Sequence, residues 1–212
     1  MPSDSSPMRV ALTGGIATGK SHCLRAFALL GVRTLDGDVL AHEAVEPGTV
    51  GLAAVVARFG RHLLQPDGTL DRGALGRIVF ADAAARRDLE AIIHPLVYAA
   101  IQQGVENPQG QGDIPESHSF SMTDIPLLYE TGHAEDFDRV VVAACRPDQQ
   151  LQRLMARNGF DEAEARRRIG TQLPIEEKAE RADYVIDTSG SLADTDRQVV
   201  EVWERLRAES EI

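Results

Sequence analysis

The chain has 212 residues, 43% hydrophobic and 26% charged, enough for one ordinary core with a small satellite unit inserted. A formal net charge of −11 argues against the basic surface needed for non-specific nucleic-acid or anionic-membrane binding, so any anionic ligand must be held locally. No run approaches the roughly eighteen apolar residues of a membrane span, and MPSDSSPM lacks the basic and apolar regions of a signal peptide.

The expected location is therefore cytoplasmic, with no membrane, nucleic-acid or protein partner predicted. Cys23 and Cys145 sit in apolar surroundings without metal-ligand spacing and read as reduced core thiols. The basic residues are twenty arginines and only two lysines, Lys20 and Lys178, which makes each lysine informative.

In chain order, residues 1–7 read as a disordered tail. MRVAL (Met8 to Leu12) is β-prone, TGGIATGKS is a glycine-rich loop, and HCLRAFALL places Leu24, Phe27 and Ala28 at helical spacing. Gly31 closes that helix, and VRTLD (Val32 to Asp36) is a second strand. Residues 39–103 are helical in pattern, interrupted at Pro47–Gly48, at QPDG and at Pro95. Residues 104–118, rich in Gly, Pro, Gln and Ser, read as a flexible loop. MTDIPLLYE carries at most a weak strand, DRVVVAAC (Asp138 to Cys145) a strong one, and YVID (Tyr184 to Asp187) the last before an amphipathic helix ending near Arg207. Strands alternating with helices imply a mostly parallel sheet covered on both faces.

GGIATGKS satisfies G-x4-G-K-[ST] between a predicted strand and a predicted helix, as a phosphate-binding P-loop requires. Backbone amides of Gly14, Gly15, Ala17, Thr18 and Gly19 can turn toward phosphate oxygens, and the helix N-terminus adds partial positive charge. Lys20 reaches the β and γ oxygens, and Ser21 offers its hydroxyl to Mg2+ bound with ATP. Three classes share such a loop. A guanine-nucleotide switch needs an NKxD motif, which is absent, and DTSG at Asp187 matches a switch motif only superficially. A mechanical ATPase needs a hydrophobic strand ending in a magnesium-organising acid, which the sequence does not reveal. A small-molecule kinase is the leading reading.

In an open parallel sheet, ligands sit beyond the carboxyl ends of strands, so TLDGDVLAHEAVEPG brings Asp36 and Asp38 to the rim occupied by the P-loop. If the chain stays extended through Gly37, both carboxylates project to one side, an edge that could hold a hydroxyl or magnesium. Asp38 before VLAHEAV fits a helix cap equally well.

ALTGGIATGKS, LDGDVLAHEAVEPG, PLLYETG and RNGFDEAEARRRIGTQLPIEEKAERADYVIDTSG, in that order over Met8 to Val200, resemble the dephospho-CoA kinase family. The resemblance implies transfer of the ATP γ-phosphoryl group to the ribose 3′-hydroxyl of dephospho-CoA, giving CoA and ADP. It implies Asp38 as base or orienting group, Asp36 as support and magnesium ligand, and Arg157 as the lid arginine reaching phosphate. It also points to His94 as an acceptor contact, and Thr13, Tyr129 and Glu130 lie on the predicted rim, where they are expected to contact the acceptor. His94 before Pro95 could instead be a helix-boundary residue, and Glu130 could cap the next helix. Ala17, Thr18 and Gly19 stand where the family commonly has GSG, D-G-D replaces D-A-D, and His22 is an unusual neighbour to the nucleotide.

The expected architecture is a three-layer α/β/α fold like that of P-loop nucleoside triphosphate hydrolases, with a parallel sheet of about five strands. Its core comprises residues 8–38, 119–150 and 183–207, with a helical acceptor unit at 39–103 and a small lid at 151–182.

Overall fold

The computed structural model describes residues 7–106 and 120–210. The chain divides into two compact units, one formed by Met1–Asp36 with Pro108–Ile212, the other by Gly37–Asn107.

The first unit is built on five parallel strands: β1 (Met8–Gly14), β2 (Arg33–Asp36), β3 (Phe120–Asp124), β4 (Arg139–Ala144) and β5 (Tyr184–Asp187), in the order β2-β3-β1-β4-β5. This is the parallel α/β sheet expected. β1 lies at its centre, and Val10 to Gly14 are all buried, as the near-continuous apolar run of a strand covered on both faces requires. β3 corrects the weakest part of the sequence reading. All five of its residues are buried, and it pairs with both β1 and β2.

Helix α1 (Lys20–Leu29) follows the glycine-rich loop and ends as expected, with Gly31 at φ 83° donating its N–H to Ala28 O. Phe27 and Cys23 of α1 join Val10, Leu12, Met122 and Val141 in the core.

The second unit contains α2 (Gly37–Glu43), α3 (Val50–Phe59), α4 (Arg72–Ala81) and α5 (Ala83–Glu106). Thr49 and Asp71 cap α3 and α4 by accepting from Leu52 N–H (3.1 Å) and Ala74 N–H (2.8 Å). Leu52, Val55, Leu63 and Leu75 form its core, with Leu89, Ile92 and Ile93 of α5 packed against it. Pro95 does not break α5, contrary to expectation. The apolar face continues beyond it through the buried Val97 and Ile101, and burial of those side chains offsets the roughly 3 kcal/mol a helical proline costs. The helix also extends through Glu106, into the stretch read as loop. The rest of that stretch, and residues 1–6 of the expected tail, lie outside the described residues.

The first unit is completed by α6 (Pro147–Asn158), α7 (Glu162–Ile169), α8 (Ile175–Glu180) and α9 (Leu192–Ser210). Among the described residues no helix is long and apolar enough to cross a membrane. Both cysteines are buried and free, as read from the sequence.

Candidate functional site: the phosphate loop

The loop between β1 and α1 is held by its carbonyl groups. Gly14 O accepts from Lys178 Nζ (3.2 Å), Gly15 O from Thr18 Oγ1 (2.9 Å) and Ile16 O from Gln150 Nε2 (2.9 Å). Thr18 O accepts from Thr188 Oγ1 (2.6 Å) and Gly19 O from His22 N–H (2.9 Å). Across a trans peptide, the C=O of one residue and the N–H of the next point in opposite directions, and no cis bond occurs in the described residues. Holding these carbonyls therefore aims the amides of Gly15, Ala17, Gly19 and Lys20 the other way. Ile16 is the exception, since its N–H donates to Gln172 Oε1 (2.8 Å).

The glycines are required by space as much as by φ. A Cβ on Gly14 would stand 2.5 Å from Ala143 O, and one on Gly15 2.5 Å from Gln150 Nε2. Gly19 caps α1 at φ 91°, and no side chain caps that helix, the arrangement by which a helix N-terminus can take an anion. Ala17, at φ 60°, is the one non-glycine with positive φ among the described residues.

Lys20 forms an ion pair with Asp124, and both side chains are largely buried. Asp124 ends β3 beside Leu12 of β1 and is the register partner of Asp36 at the end of β2. It is an acid at the end of a buried strand, a feature not recognised in the sequence. The expected extended pair of Asp36 and Asp38 is corrected at the same point. Asp36 is the last residue of β2, whereas Asp38 lies in the first turn of α2, because helix begins at Gly37.

A model of the dephospho-CoA kinase family matches residues 8–194. The chain belongs to the dephospho-CoA kinase family. It is 47% identical over 182 residues to a dephospho-CoA kinase of Anaeromyxobacter dehalogenans, covering 86% of this chain and 84% of that protein. Among solved structures, the dephospho-CoA kinase from Campylobacter jejuni is 29% identical with a TM-score of 0.68, over 95% of this chain and 98% of that one. A Thermus thermophilus protein is 30% identical with a TM-score of 0.78, over 95% and 99%.

In this dephospho-CoA kinase family chain, several expected site residues are already engaged. Thr13 is fully buried, and its hydroxyl donates to Pro126 O (3.4 Å). Thr18 is spent bracing the loop. His22 turns to α9, where its Nε2 lies 2.7 Å from Asp196 Oδ1, and together they line an apolar groove of about 460 Å³. The His22 backbone N–H donates to Gly19 O (2.9 Å). Glu130 caps no helix. Its Oε1 lies 2.7 Å from Lys178 Nζ and accepts from Leu173 N–H (2.9 Å).

Tyr129 lies under the Arg181 guanidinium, 5.8 Å from the ring centroid, and desolvation, foremost, holds its phenol above the usual range. His94 belongs to the second unit and stacks edge-on with Tyr98, its ring centroid 6.4 Å away. Ser21 is exposed at the first turn of α1.

Arg157 is exposed at the end of α6, bonded to Asn158 Oδ1 (2.9 Å). Arg166, Arg167 and Arg168 pair with Glu162 and Glu164 on their own helix, exchangeable surface pairs of small worth. Arg153 instead grips Thr188, donating to its Oγ1 (3.1 Å) and its carbonyl (2.7 Å). Sequence reasoning missed Asp124, Gln150, Gln172, Lys178 and Thr188. For Lys178 a signal existed, since it is one of two lysines in an arginine-rich chain.

Proposed function

We propose that the chain transfers the γ-phosphoryl group of ATP to the ribose 3′-hydroxyl of dephospho-CoA, giving CoA, ADP and a proton, the last step of coenzyme A synthesis. The observation that carries this reading is the loop whose carbonyls are held outward at the carboxyl end of β1, in a chain of this family. Such a loop supplies amides and a helix N-terminus to phosphate oxygens.

Lys20 neutralises charge on the β and γ phosphates, releasing Asp124 from its ion pair as it does so. The residues fit magnesium, which binds through one or two carboxylates together with nucleotide phosphates. Ser21 and Asp124, with Asp36 beside it, are the oxygen donors that would hold it. When bound, it neutralises charge on the phosphate oxygens.

Asp38 accepts the hydrogen bond of the ribose hydroxyl, aims its lone pair and takes its proton late in transfer. Its Cα is tethered within about 7 Å of that of Asp36 by two peptide units, which supports a role at the rim. Residues 39–103 serve as the acceptor unit, with His94 as a contact, and residues 151–182 as a lid on which Arg157 reaches phosphate. The reaction is cytoplasmic. The test is to supply Mg-ATP with dephospho-CoA, with a nucleoside or with no acceptor, and to follow ADP. Release dependent on dephospho-CoA supports the reading, and equal release with the nucleoside contradicts it.

A further inference from the structure

Three carbonyls of the phosphate loop are held by side chains that lie far downstream in sequence. Gln150 (4% exposed), Lys178 (0%) and Thr188 (5%) are all buried, and each donates to the loop, at Ile16, Gly14 and Thr18 respectively. We propose that Gln150, Lys178 and Thr188 are positioning residues for phosphoryl transfer, acting through these carbonyls to aim the loop amides at the nucleotide phosphates.

Their chemistry is costly unless it serves that end. Lys178 is a fully buried cation whose ion pair with Glu130 could be replaced by apolar side chains without loss of stability in many folds. What an apolar pair could not supply is donation to Gly14 O and Pro126 O. Gln150 stands so close to Gly15 that no Cβ fits between them, so the amide and the glycine require each other. Thr188 is itself held by Arg153 through two hydrogen bonds and stands 3.2 Å from where a Cβ on Gly19 would lie. Because a carbonyl and the following amide are rigidly opposed, loss of any one donor frees one amide of the cradle to rotate.

A merely structural role predicts general loss of stability and binding, whereas positioning predicts a loss confined to phosphate recognition. The test is calorimetric titration of full-length Gln150→Leu and Thr188→Val with ATP and, separately, with dephospho-CoA, alongside thermal melting. The inference assumes that the loop is the ATP site, which ATP binding by the unaltered protein checks independently. Each variant should weaken ATP roughly tenfold, as loss of a buried hydrogen bond implies, with dephospho-CoA affinity kept. The double variant Lys178→Met with Glu130→Leu removes both charges together and should weaken ATP alike; it is read for ATP alone, because Glu130 is itself an expected acceptor contact. Unchanged ATP affinity in the folded variants, or equal loss for both ligands, would overturn the proposal.

Discussion

Asp36 and Asp124 stand side by side at the carboxyl ends of β2 and β3 as register partners in the parallel ladder. Neighbouring strands lie about 4.8 Å apart, so the sheet rim carries two acidic residues on adjacent strands, and one of them pairs with Lys20. Under the proposed reaction, a magnesium ion carried by the nucleotide phosphates would draw its protein oxygen ligands from this pair.

Asp124→Asn should therefore lower kcat by about a hundredfold or more, the range for loss of a group that organises transition-state charge. It should also raise the magnesium concentration needed for half-maximal rate. Initial rates against MgCl2 check this, and an unchanged magnesium dependence would count against the assignment.

Asp38→Asn is close in size at the first turn of α2 and removes the carboxylate proposed to take the ribose proton. Turnover should fall by about 10² to 10⁴, the contribution of general-base help, while KM for ATP stays near that of the unaltered protein. Steady-state kinetics separate the two quantities, and a parallel rise in KM would point to a capping role instead.

Gly14→Ala drives a methyl group into Ala143 O and Thr18 Oγ1, and neither the β4 backbone nor the buried threonine can yield cheaply. Overpacking of this kind costs about 1–3 kcal/mol. Denaturant unfolding should show that loss together with weaker ATP binding, whereas a fully stable variant would mean that the loop tolerates the shift.

Burial raises the Cys23 thiol from 9.0 to about 12. Below pH 9 the thiol is neutral folded or unfolded and contributes no pH dependence. Between pH 9 and about 12 the unfolded chain loses the proton and the folded chain keeps it, so stability falls as pH rises, by up to about 1.4 kcal/mol per unit. Cys23→Ala should flatten that slope in unfolding curves at pH 8 to 10.5. An identical slope would show that other groups govern it.

Legibility in the sequence followed how local each feature is. β1, β4 and β5 are short apolar runs, and the P-loop is a contiguous pattern, so all four could be read directly. β3 was obscured because Ser121, Thr123 and Asp124 are polar yet buried, and with it went the strand-end acid. Gly37 fits either an extended chain or a helix start, and an acid in the first turn favours the helix, which is what forms. Pro95 misled because a local break was weighed without the packed face that carries α5 past it. The ties from Gln150, Gln172, Lys178 and Thr188 to the loop join residues distant in sequence, and no periodicity records such contacts.

Acceptor-specific transfer to one hydroxyl is tested most directly by 31P NMR of the products formed from Mg-ATP and dephospho-CoA. One ADP should appear for each new phosphomonoester, with the phosphoryl group on the ribose 3′-oxygen. ADP formed without that phosphomonoester, or a phosphoryl group at another position, would contradict it.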